Sequence, residues 1–90
     1  MNVIGENSTI GDDSMVQRCS IGANVTIGKS CKIVNCLILK NVNIQDKVNL
    51  QNCIIGMDSV INTNSTLKEV IVNHKASIPS KSNLTKETVF

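Results

Sequence analysis

Four cysteines and one histidine are the side chains of this 90-residue chain best suited to ligate a metal or attack a substrate. Cys19, Cys36 and Cys53 stand 17 residues apart, and Cys31 falls outside that series. No C-x-x-C pair is present. Thiols recurring at one constant spacing form one column of a repeat, with their side chains parallel. Such a column suits neither tetrahedral zinc nor ordinary disulfide geometry. The four thiols are expected to be reduced, small and buried, and no metal site is expected. His74 has no adjacent acidic partner and reads as a solvated turn residue, and a site of three metal-binding histidines cannot be built from one. Neither G-x-G-x-x-G nor G-x-x-x-x-G-K occurs, so no phosphate cradle is expected. On the residues alone the chain is therefore expected to hold no catalytic residue and no cofactor, and not to be an enzyme.

The elements that position these residues follow from a repeat of 17. Aliphatic anchors recur at steps of six, six and five. One column reads Val16, Ile33, Leu50, Leu67, Leu84. A second reads Ile4, Ile21, Ile38, Ile55, Val72, Val89, and a third Ile10, Ile27, Ile44, Ile61, Ile78. The residue two before each anchor is small throughout, from Ser8 to Ser82, with only the terminal Asn2 and Glu87 departing. Residues two apart share a strand face. Each unit therefore sends one small and one aliphatic side chain inward, and three short strands close a triangular coil. The fold class is all-β, a single-stranded parallel β-helix of about five 17-residue coils over residues 1–90. At about 4.8 Å per coil it should form a rod roughly 24 Å long. The hexapeptide form Ile-Gly-x-x-Ser-x resembles the left-handed β-helix family, and that resemblance implies the left-handed sense, an exception to the usual right-handed crossover. The corners, filled by Gly and by Asn7, Asp13, Asn24, Asn41, Asp58 and Asn64, should need φ > 0. That role accounts for the N-x-S/T matches at Asn7, Asn24 and Asn64. Asp12, Lys29 and Asp46, also 17 apart, should stack as an exposed charge ladder.

Composition narrows the function classes. Net charge is +2, and the nine Lys and Arg are dispersed, without the basic stripe of a nucleic-acid binder. No apolar run could span a bilayer, and no leader pattern is present. No direct nucleic acid and no membrane is expected as a partner, and a cytoplasmic protein is expected. The chain begins within a coil at Val3-Ile4, so 1–90 is expected to be the C-terminal part of a longer protein. Pro79 and the lysines 75, 81 and 86 discourage edge pairing at the other end.

Outward positions separate the three faces. Two are mostly polar. The second-column face carries Val3, Leu37, Leu39, Ile54 and Ile71, of which the last four are contiguous over three coils. A clustered apolar patch marks an interface. These five residues are the candidate interaction site.

The stretch from Asp13 to Val72 resembles the C-terminal domain of the gamma subunit of eukaryotic translation initiation factor 2B. The resemblance rests on Arg18-Cys-Ser-Ile-Gly22, Val34-Asn-Cys-Leu-Ile-Leu39, Val42-Asn-Ile-Gln-Asp46, Leu50-Gln-Asn-Cys-Ile-Ile-Gly56 and Leu67-Lys-Glu-Val-Ile-Val72. It covers about two thirds of the chain and includes the five-residue short step, while the tail through Phe90 resembles the family more loosely. It implies a non-catalytic scaffold in the guanine-nucleotide exchange factor for initiation factor 2. The domain would pair with its epsilon-subunit counterpart, join the other subunits, and reach initiation factor 2 through the complex. A homodimer is possible when the domain is isolated. Two other readings share the repeat. One is the oligomerisation tail of a sugar-nucleotide pyrophosphorylase of the mannose-1-phosphate guanylyltransferase type. The other is a small hexapeptide-repeat acyltransferase, a class that uses a histidine base, for which His74 would be the candidate.

Overall fold

Branched aliphatics alternating with polar residues favour short extended segments, and a corner every five or six residues stops each after two or three. The computed structural model describes residues 3–89. Sixteen strands run in chain order: β1 (Val3–Ile4), β2 (Thr9–Ile10), β3 (Met15–Gln17), β4 (Ser20–Ile21), β5 (Thr26–Ile27), β6 (Lys32–Val34), β7 (Leu37–Ile38) and β8 (Asn43–Ile44). They continue as β9 (Asn49–Gln51), β10 (Ile54–Ile55), β11 (Val60–Ile61), β12 (Thr66–Lys68), β13 (Ile71–Val72), β14 (Ser77–Ile78), β15 (Asn83–Thr85) and β16 (Thr88–Val89). Every third strand joins the same parallel sheet. Sheet A has the order β1-β4-β7-β10-β13-β16, sheet B β2-β5-β8-β11-β14, and sheet C β3-β6-β9-β12-β15. The expected columns are the observed registers, with Ile21 paired to Ile38, Ile27 to Ile44 and Ile33 to Leu50. The longest dimension is 28 Å.

The ladder does not stop at the corners. Within strands an N–H donates to the coil ahead, as from Gly22 to the Ile38 carbonyl at 2.8 Å. At corners it donates to the coil behind, as from Asn41 to the Ala23 carbonyl at 3.0 Å. The residue making that backward bond has positive φ. The six expected Asn and Asp corners all do so, and so do Arg18, Ser30, Lys47, Glu69, Lys75, Lys81 and Lys86. From Asn24 onward the backward bond holds this turn even on residues that adopt it at a cost, such as Lys47 and Glu69. No glycine among the described residues has positive φ, which corrects the expectation for glycine. Glycine is needed instead where coils touch. A Cβ on Gly56 would lie 2.6 Å from the His74 nitrogen, and one on Gly11 would lie 2.6 Å from the Gly28 carbonyl.

Inside, the anchors from Ile21 to Ile78 are sealed, with Ile33, Ile44, Leu50, Ile55, Ile61 and Leu67 wholly buried. The first coil lacks a neighbour on one side, so Ile4 and Ile10 are 45% and 36% exposed. The small inward residues also bond. Ser59 Oγ donates to the Asn73 carbonyl at 2.9 Å and Ser65 Oγ to the Pro79 carbonyl at 3.0 Å, each in the next coil. The charge ladder is not observed as drawn. The Asp46 carboxylate accepts the Lys29 backbone N–H at 2.8 Å, because that donor lies directly over it. The ion pair seen among the described residues is Lys86 with Glu69 at 4.0 Å. Asn2 lies outside the described residues.

Two opposite stability changes follow. Gly56→Ala forces a methyl group onto the next coil's backbone and should cost about 1–3 kcal/mol. Lys47→Asn relaxes a left-handed corner and should stabilise by up to about 1 kcal/mol. Thermal unfolding followed by circular dichroism reads both, and a rise for the first or a fall for the second contradicts the assignment.

Candidate functional site

The thiols lie on the inner wall, placed there by the residue-two-before-anchor rule. Cys19, Cys31, Cys36 and Cys53 are free and buried. Cys19, Cys31 and Cys53 take the role the serines have elsewhere, whereas the Cys36 sulfur contacts the Val34 carbonyl of its own coil. Cys31 Sγ contacts the Gln45 carbonyl at 3.0 Å and Cys53 Sγ the Leu67 carbonyl at 3.3 Å, both one coil ahead. Cys36 and Cys53 also bond to each other. The shared proton, together with burial, pushes the Cys36 thiol far up, and it draws Cys53 down to about 7. Both sulfurs are shut away from water beside aliphatic anchors, so once Cys53 has ionised the pair as a unit resists losing its remaining, shared proton.

His74 is exposed at a corner after β13. Its Nδ1 accepts the Met57 backbone N–H at 2.9 Å, one coil below, leaving Nε2 to face solvent as the donor. Asp46 does the same for Lys29 at another corner. Among the described residues no three metal-ligating side chains converge and no cleft is present. Chemistry or recognition must therefore use the outer surface.

Sheet A supplies the apolar part of that surface. Its outward row runs Val3, Ser20, Leu37, Ile54, Ile71, Thr88, adjacent residues being strand partners. Leu37, Ile54 and Ile71 form an unbroken ridge, exposed by 41%, 43% and 46%. Val3 is 65% exposed but stands apart, across Ser20. Leu39 belongs to the next outward row, between Gly22 and Gly56, and is half-buried. Met57, half-buried at the adjoining corner, extends the patch. It was missed because corner side chains do not follow the in-out alternation of a strand.

Against this geometry, residues 1–89 match the family described as EIF2B subunit epsilon LbH domain. The chain belongs to this family. It is thus a left-handed β-helix domain of the translation initiation factor 2B type. No curated protein matches the chain. Several solved structures share the fold. The acetyltransferase domain of PglB from Neisseria gonorrhoeae FA1090, in complex with acetyl coenzyme A, is 17% identical with a TM-score of 0.54, over 93% of this chain and 48% of that one. The polysialic acid O-acetyltransferase OatWY is 21% identical with a TM-score of 0.57, over 99% and 49%. The hexapeptide-repeat acetyltransferase VCA0836 from Vibrio cholerae is 17% identical with a TM-score of 0.52, over 94% and 69%. The chain spans about half the length of the first two.

These neighbours overturn one expectation. Residue spacing within the chain's own coils makes no catalytic group, and on that ground no enzyme is expected. Solved structures that share its fold include acetyltransferases, so the exclusion does not stand. Spacing within one chain reports only sites that one chain completes. Among the described residues no helix is long and apolar enough to cross a membrane.

The thiol pair generates a pH dependence. A thiol whose folded value is raised favours the folded state below its ordinary value of 9.0, and that contribution is lost as pH climbs through it, since the unfolded chain then ionises. The lowered Cys53 adds stability as pH rises from about 7 to 9.0, so urea unfolding should show stability falling as pH climbs beyond 9.0, and Cys36→Ala should flatten that fall. An unchanged slope in the variant assigns it elsewhere.

Proposed function

We propose that this chain is the assembly domain of the guanine-nucleotide exchange factor for initiation factor 2, and that its sheet A ridge pairs with the homologous β-helix of the epsilon subunit. The family match over residues 1–89 carries the reading. The ridge of Leu37, Ile54 and Ile71 supports it, because branched aliphatics this exposed and contiguous gain from being covered. Within the complex we place the chain as the gamma-type subunit, on the sequence blocks from Arg18 to Val72. It would be the C-terminal part of that subunit, would act in the cytoplasm, and would meet initiation factor 2 through the other subunits.

A second reading is acyl transfer, which the acetyltransferase folds support. It requires turnover of an acyl coenzyme A, with His74 as the base. The Met57 N–H occupies Nδ1 and leaves the proton on Nε2, so the base role requires that bond to open first.

Mixing the chain with an epsilon-subunit β-helix domain should give a one-to-one complex by light scattering. Leu37→Asp and Ile54→Asp should each weaken it by at least tenfold, because each buries an unpaired charge. Both side chains point outward, so circular dichroism of the variants should match the parent. Full-strength pairing by both variants would reject the ridge as the contact.

A further inference from the structure

We propose that the sheet A face also takes a second copy of this chain, face to face, across a two-fold axis parallel to the solenoid axis. The inference rests on the reading of that face as an interface, and it assigns a further occupant and its orientation.

The first argument is relief. The outward row before each anchor is a ridge, and the row after it is mostly bare: Gly5, Gly22 and Gly56, with Leu39 half-buried among them and an exposed Asn73, which would face Ile71. An axis running over the anchor column lays each coil against the same coil of the second copy. The ridge of one then falls opposite the bare row of the other. Ile54 meets Gly56, Val3 meets Gly5, and Leu37 meets Leu39. An isologous contact needs such self-complementarity.

The second argument is charge. Glu69 stands at the corner before β13, and His74 and Lys75 stand at the corner after it. Glu69 is held within the chain only by the 4.0 Å pair with Lys86, and its side chain is 52% exposed. The two-fold places it opposite the second copy's His74 and Lys75, and symmetry repeats the contact. The outward Nε2–H of His74 is the donor left free by the Met57 bond. The other face-to-face two-fold, which inverts the solenoid axis about Ile54, gives the reverse. It sets Arg18 against Lys86. Like charges opposed in this way disfavour that orientation. The size is adequate as well. The molecule exposes 5052 Å² over three faces and two ends, so one face is comparable with the about 800 Å² per partner of a specific interface.

The test is light scattering across a concentration series on the 90-residue chain alone, with the epsilon-domain mixture run beside it. A dimer is expected. Ile54→Asp should abolish it, and Glu69→Lys should weaken it several-fold. Adding Lys75→Glu to Glu69→Lys should restore it, a rescue that a merely structural role for Glu69 would not produce. A chain that stays monomeric at every concentration, yet pairs with the epsilon domain, overturns the self-association and leaves the heteromeric reading standing. A dimer that survives Ile54→Asp, a trimer, or a failed charge rescue likewise overturns the proposal.

Discussion

Every strand in this molecule is too short to be stable by itself, so the coil-to-coil backbone ladder is the constraint on which the rest depends. Strand N–H groups donate forward and corner N–H groups donate backward, and both series step through one 17-residue register. An inserted residue would move the following anchors outward and break the bonds on both sides of it. The six-six-five rhythm is therefore a requirement of closure. It explains why a lysine or a glutamate accepts a left-handed corner: the preceding coil holds it there.

The same ladder decides what fills the interior. Coils packed at strand spacing leave room for one aliphatic and one small side chain per edge, which is why aromatics are nearly absent. At the small positions, serine and cysteine do more than fit. Their hydroxyl or thiol reaches a carbonyl in the next coil, as Ser59 does to Asn73 and Cys31 to Gln45. A buried polar group so bonded costs little, whereas an unbonded one would cost much. The cysteines are thus part of the wall that stacks the coils.

A filled interior without a cleft moves function to the faces. The faces are flat because their rows are set by the ladder, and they differ only in which outward residues occupy them. Sheet A differs most, with three adjacent branched aliphatics beside a row thinned by glycine. Membership of an initiation-factor domain family and likeness to acetyltransferase folds are compatible with one scaffold, since both depend on what is mounted on or between its faces.

The columns, their parallel order and the inward placement of the thiols were legible in the sequence, because strand alternation and a constant repeat length leave one arrangement that buries all anchors. The apolar ridge was legible for the same reason. What lay beyond periodicity needed the folded chain. Glycine proved to serve close approach between coils and not backbone reversal, a matter of distances that spacing does not contain. Leu39 and Met57 are half-buried beside the ridge, and Asp46 and His74 each turn to a backbone N–H one coil away. A repeat in sequence determines which residues are neighbours. Where a side chain goes among those neighbours depends on the room and the unpaired donors left by the coils above and below, and these exist only once the coils have stacked.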